Sequence, residues 1–151
     1  MWIEKVLTRN DLGQNASHQS GITIPLSHLP ALPAMTRAEK NPRHHLNLID
    51  GKGGSWPVSL IYYNNKFHGG TRNEIRLTGT IHCFREHGCG PGDVIRLQFS
   101  SEEVLIVFDE KRSSETSYNV DSKLISQLPP TTERVHDTPG WTRHTIRRGK
   151  R

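Results

Sequence analysis

Short runs of alternating apolar and polar residues, closed off by glycine, proline or asparagine, dominate this chain. Across Trp56–Asn64, Val58, Leu60 and Tyr62 alternate with Ser59, Ile61 and Tyr63. Across Arg72–Thr80, Ile75, Leu77 and Gly79 alternate with Glu74, Arg76 and Thr78. A period of two places successive side chains on opposite faces of a strand, so each run offers one face to a core. Shorter pieces read the same way: Trp2–Thr8, Gly21–Pro25, His45–Ile49, Val94–Phe99 and Val104–Phe108. The last two form a hairpin around Ser100–Glu103, with Val94 or Ile95, Leu97, Phe99, Leu105 and Val107 expected inward. Helical signals are confined to Leu26–Leu32, cut by Pro30 and Pro33, and Asp121–Leu128, ended by Pro129-Pro130. Strand segments outnumber helical ones by about seven to two. The pattern predicts a mainly β fold: a closed or nearly closed barrel of about seven strands with a few short helices on its ends.

Composition sets the bounds. A chain of 151 residues with 32% hydrophobic content supports one sheet-sized core and a single domain. No apolar run approaches the ~18 residues of a membrane span, so no membrane partner is expected. Glu4, Lys5 and Arg9 interrupt the apolar start, which therefore does not read as a signal peptide. Cys83 and Cys89 are too few for a disulfide scaffold, and the expectation is an intracellular protein. The formal charge of +5 is unevenly spread. Residues 133–151 carry +4, while residues 102–121 carry −4. From Thr131 onward apolar periodicity is nearly absent, so the expected organisation is a domain over 1–130 and a basic linker or tail over 131–151.

The chemistry concentrates in Arg72, Glu74 and Arg76. Residues two apart on a strand share a face about 6.6 Å apart, so these three project as a donor–acceptor–donor row. Arginine can donate two hydrogen bonds to guanine O6 and N7, and glutamate can accept from cytosine N4. A carboxylate repels phosphates, so its presence favours base reading over plain backbone binding. The same ladder also suits the solvated outer face of a sheet, where opposite charges pair. Asn64, Lys66 and His68 lie on the polar loop before the row and offer base or phosphate contacts. Ser17, His18 and Gln19 form a second polar loop with similar donors and acceptors.

These segments carry a resemblance. Thr8-Arg9-Asn10-Asp11-Leu12-Gly13 followed by Ser17-His18-Gln19-Ser20-Gly21-Ile22-Thr23-Ile24-Pro25 resembles the start of the N-terminal domain of EcoRII-type restriction endonucleases. Ile61-Tyr62-Tyr63-Asn64, then Gly70-Thr71-Arg72-Asn73-Glu74-Ile75-Arg76-Leu77-Thr78, resembles that domain's second signature, in the same order and at the same separation. Pro91-Gly92-Asp93-Val94-Ile95-Arg96-Leu97 is similar to the wider B3-like DNA-binding group. The resemblance implies a B3-like DNA-binding pseudobarrel whose two arms grip the major groove of double-stranded DNA. His18 and its neighbours, with Thr23, would lie on the first arm. Lys66, Arg72, Asn73, Glu74 and Arg76 would lie on the second, and Arg9 and His68 would help to position the backbone. The implied site is a short 5′-CC(A/T)GG-like sequence, read by a monomer. The domain would act as the effector or target-recognition part of a prokaryotic, cytoplasmic restriction enzyme, with a nuclease domain beyond the C-terminus and no cofactor, metal or catalytic residue of its own. Some positions depart from the family pattern. Lys66 replaces an arginine, Gly70 and Ile75 replace lysines, and Thr23 replaces a tyrosine, which removes phosphate anchors.

Two rival chemistries are also present. Asp93, Asp109 and Lys111 fit a loose Mg²⁺-nuclease spacing, with the two aspartates brought together across the hairpin. His82, Cys83, His87 and Cys89 offer four zinc-type ligands, although their spacing matches no usual finger.

Overall fold

A computed structural model describes residues 1–15, 21–109 and 132–146 of the chain. The strands are β1 (Trp2–Val6), β2 (Ile22–Ile24), β3 (Arg43–Asp50), β4 (Ser55–Tyr63), β5 (Glu74–Thr78), β6 (Val94–Phe99), β7 (Glu103–Phe108), β8 (Thr132–Thr138) and β9 (Trp141–Ile146). One helix, α1 (Ile81–Glu86), and two 3₁₀ helices, Leu26–Ala31 and Asn65–Phe67, complete the described elements. All nine strands join one sheet in the order β2-β5-β4-β3-β7-β6-β1-β9-β8. Every pairing is antiparallel except β3 with β7.

The sheet curls on itself. The 3₁₀ helix leaving β2 at one edge meets β9 near the other: Arg143 donates to the Ser27 carbonyl at 2.8 Å, and His28 meets the Trp141 ring edge-on at 5.3 Å. Inside the curl lie Ile3, Ile22, Ile24, Leu46, Leu48, Leu60, Tyr62, Ile75, Leu77, Ile95, Leu97, Val104 and Ile106, all nearly inaccessible. Each buried aliphatic side chain of this kind stabilises the fold by about 1.5–3 kcal/mol. The mainly β pseudobarrel expected from the alternation is the observed architecture.

Three expectations differ from the structure. In the hairpin, Val104 and Ile106 face inward while Leu105 and Val107 are exposed. Cross-strand partners share a face, and the pairs Leu97↔Ile106 and Phe99↔Val104 set the phase of β7. Second, residues 81–86, outside the two segments with helical signals, form α1, which buries Cys83 and Phe84 and exposes His82, Arg85 and Glu86. Third, the stretch expected as a linker holds β8 and β9, and β9 pairs with β1 from Trp2↔His144 to Lys5↔Trp141. The helix expected over 121–128 lies outside the described residues.

Candidate nucleic-acid interface

The edge pair β2–β5 organises the candidate site. β5 starts at Glu74, where the loop 64–73 delivers it, and ends at Thr78. β2 runs antiparallel, with Ile22 opposite Leu77, so the chain enters β2 at the Thr78 end. Gly21 sets that entry: its φ is +118°, and a Cβ there would lie 2.7 Å from the Leu77 carbonyl oxygen. Only glycine tolerates that conformation together with that approach. The two segments resembling the arms therefore leave opposite ends of one short strand pair. Between them, Thr23 sits exposed opposite Arg76.

Arg72, Glu74 and Arg76 are brought together. Arg72 donates to Glu74 Oε1 from Nε at 2.8 Å and from a terminal nitrogen as well. Arg76 Nε donates to the same oxygen at 3.2 Å. The Arg72 guanidinium also lies over the Tyr63 ring, 3.6 Å from its centroid. Arg72 thus has one face on an aromatic ring and one edge on a carboxylate, which fixes its plane and leaves its outer edge as donor. The row grades in exposure: Arg72 is 36% accessible at its side chain, Glu74 30% and Arg76 10%.

The other expected site residues fall into separate groups. Lys66 and His68 are exposed on the loop before the row, which closes where Lys66 N–H donates to the Arg72 carbonyl at 2.9 Å. Asn73 Oδ1 accepts the Tyr62 hydroxyl at 3.0 Å, so its side chain anchors the loop to the core. Asn64 is fully buried. Its Oδ1 accepts the Asn41 N–H at 2.8 Å and its Nδ2 donates to the Glu39 carbonyl at 2.7 Å. The contact expected of Asn64 at the surface is replaced by an internal brace. Arg9 is exposed on the turn after β1. That turn is tied by Asp11, which accepts from the Thr8 N–H and hydroxyl at 2.8 Å and pairs with Lys5 at 3.3 Å. Gly13, at its end, packs on Ile81 next to Thr78–Gly79, so Arg9 belongs to the first-arm side. Ser17, His18 and Gln19 lie outside the described residues.

Several members of the two rival sets have other partners in the fold. Asp93 Oδ2 accepts the Gly90 N–H at 2.7 Å, and Asp109 Oδ2 pairs with Arg96 at 3.2 Å. Lys111 lies outside the described residues. His82 points to solvent while Cys83 is buried, and burial, with Cys89, Asp50 and Glu86 nearby, pushes the Cys83 thiol up to about 12. His87 is engaged with Asp50 at 2.8 Å. Among the described residues, no three His, Cys, Asp or Glu side chains are placed to share a metal ion.

Asp50, His87, Asp93 and Asp109 instead line a pocket of about 590 Å³ at the far end of β3 from the arginine row. Asp50 is buried there, which alone would raise its pKa, yet N–H groups of Gly54 and Lys52 and the ring of His87 hold it below the usual carboxylate value. The feature that sequence reasoning missed is the partnership around the row. Tyr63 reads as an ordinary strand aromatic, and the loop Thr36–Asn41 reads as a charged connection.

The curled sheet, closed by short helices and with the two arm segments at opposite ends of the β2–β5 pair, is a B3-like pseudobarrel. The chain belongs to the family of the N-terminal domain of restriction endonuclease EcoRII, which matches residues 1–86. A hypothetical protein of Arabidopsis thaliana has a similar structure, with a TM-score of 0.50 at 14% identity over 74% of this chain and 92% of that one. The chain in the Arabidopsis FUS3–DNA complex gives a TM-score of 0.49 at 20% identity, over 71% of this chain and 94% of that one. No curated protein sequence matches the chain.

Proposed function

We propose that this domain binds double-stranded DNA sequence-specifically through the major groove, at a 5′-CC(A/T)GG-like site. The observation that carries the reading is the row Arg72–Glu74–Arg76, joined by the shared Glu74 oxygen with Arg72 placed over Tyr63. Arg72 and Arg76 address guanines with the guanidinium edges that Glu74 leaves open, and Glu74 accepts from a cytosine amino group. Lys66, His68 and Arg9 position the backbone. Ser17, His18, Gln19 and Thr23 act from the opposite arm. Asn64 and Asn73 hold the second arm in shape. Membership of the EcoRII N-terminal family supports a role as the effector or target-recognition domain of a restriction endonuclease. In that role the domain is a monomer without a catalytic centre, and the nuclease is a separate domain. The test is a gel-shift panel with CC(A/T)GG, CCGG, CCCGG and scrambled duplexes. Preference for CC(A/T)GG supports the reading, and equal binding to all four overturns it.

A further inference from the structure

The segment Thr36–Asn41 is a surface loop whose attachments are almost all to the second arm. Asn64 binds it at two points, through the Asn41 N–H and the Glu39 carbonyl. His68 Nε2 lies 3.0 Å from the Arg37 carbonyl oxygen. The Arg37 guanidinium sits 4.7 Å from the centroid of Phe67, an exposed aromatic on the same arm. Just beyond the loop, the Tyr62 N–H donates to the Pro42 carbonyl at 3.0 Å. Asn41 itself has φ +53°, the left-handed region, and is the one non-glycine residue there among the described residues. A conformation disfavoured for a side chain is thus fixed by a fully buried amide from the arm. These contacts make the loop and the arm one rigid unit.

The unit is cationic on balance, with two exposed cations on the loop against the exposed carboxylate of Glu39. Arg37 and Lys40 are exposed on the loop, and Lys66 is exposed on the arm beside it. Phe67 gives the Arg37 guanidinium a platform, as Tyr63 does for Arg72. An exposed, pre-oriented guanidinium and a neighbouring ammonium are donors suited to phosphate oxygens.

We propose that Thr36–Asn41 is a third DNA-contacting element, docked on the second arm by Asn64, through which Arg37 and Lys40 grip backbone phosphates flanking the base pairs that the arginine row addresses. This rests on the DNA-binding reading above and extends its footprint to one side.

The test compares the full chain with the double variant Arg37→Gln/Lys40→Gln and with Lys40→Glu, on a duplex with long flanks and on one trimmed to the site. Both side chains are exposed, so the variants should melt like the parent. Two lost phosphate contacts should reduce the slope of log affinity against log salt by about 1.8. The loss should be seen on the long duplex and shrink on the trimmed one, with the ratio of cognate to scrambled binding unchanged. Lys40→Glu should weaken binding beyond the neutral change. An unaltered affinity and salt slope in the double variant overturns the proposal while leaving the base-reading row intact. Parent protein that binds scrambled and cognate duplexes equally overturns the row, and the salt slope on either duplex still decides the loop. Parent protein that binds no duplex overturns both.

Discussion

Arg72 lies over Tyr63, its guanidinium carbon 3.6 Å from the ring centroid, while Glu74 holds its edge. The stack determines which way the outermost arginine of the row can point. A half-exposed cation–π contact of this kind is worth about 0.5–2 kcal/mol. Tyr63→Ala should therefore weaken binding to the cognate duplex by about 2- to 30-fold, with most of the loss on the cognate sequence. Tyr63→Phe keeps the ring face and should bind like the parent. Titrations of both variants against cognate and scrambled duplexes check this. A phenylalanine variant as weak as the alanine one would point to the hydroxyl instead.

Glu74 has two jobs that can be separated. It ties both arginines through Oε1, and on the proposed reading it accepts from cytosine. Glu74→Ala removes the negative charge and releases both guanidinium groups, so affinity for a scrambled duplex should rise or hold while affinity for the cognate one falls. The loss at the cytosine position should be about 1–3 kcal/mol. A set of single-base variant duplexes measures it. Specificity that is unchanged across that set defeats the claim that Glu74 reads a base.

Asn64 is a structural joint within the second arm. Asn64→Ala leaves the Asn41 N–H and the Glu39 carbonyl without their partner, in a region where the amide itself is fully buried. The expected cost is about 1–3 kcal/mol of stability per unsatisfied buried group. Denaturant unfolding should give a lower midpoint with little change in slope. A variant as stable as the parent would show that loop and arm are held by other contacts.

How much of this was legible in the sequence depended on whether polar residues marked the phase. β4 and β5 alternate visibly, so their inward faces were read correctly at Val58, Leu60, Ile75 and Leu77. Residues 104–108 are apolar throughout, and only pairing with β6 decides that Ile106 faces in and Val107 out. The six residues of α1 are too few to show a helical period. β9 escaped because it contributes Trp141, Thr142 and His144 to buried positions, a polar-rich pattern that does not look like a core strand. In the site, the Arg72–Glu74–Arg76 row follows from spacing alone. The Tyr63 platform and the Asn64 brace do not, since both depend on how loops fold back across the end of the sheet.

Asp50 links stability to pH. Its carboxyl is held below the ordinary 3.8 in the fold, where hydrogen bonds from Gly54, Lys52 and His87 outweigh the opposing effect of burial. A depressed folded value means that the stabilisation is present above the unfolded pKa and is lost as pH falls through the folded one. The parent should therefore lose stability below about pH 4. Asp50→Asn should be less stable than the parent at neutral pH and lose less on acidification. Melting curves from neutral pH into the acid range test the sign. Identical acid limbs for parent and variant would remove Asp50 from the explanation.

The place where the domain ends is a matter of burial. Trp141 on β9 is 4% exposed, carries Lys5 over its ring at 4.8 Å, and meets His28 edge-on. Lys5 is in turn buried against Asp11, the residue that ties the turn carrying Arg9. The β8–β9 hairpin thus covers the root of the first-arm side, although sequence periodicity placed it in a linker. Trp141→Ala should cost about 3–5 kcal/mol, the range for truncating a buried large aromatic. A chain ending at residue 130 should be destabilised at least as much, because it also strips β1 of one of its two partner strands. Calorimetry of the two variants beside the parent decides the boundary. If the shortened chain melts like the full one, the domain ends before Thr132 and the hairpin is an appendage. If both variants melt early, the domain extends through Ile146.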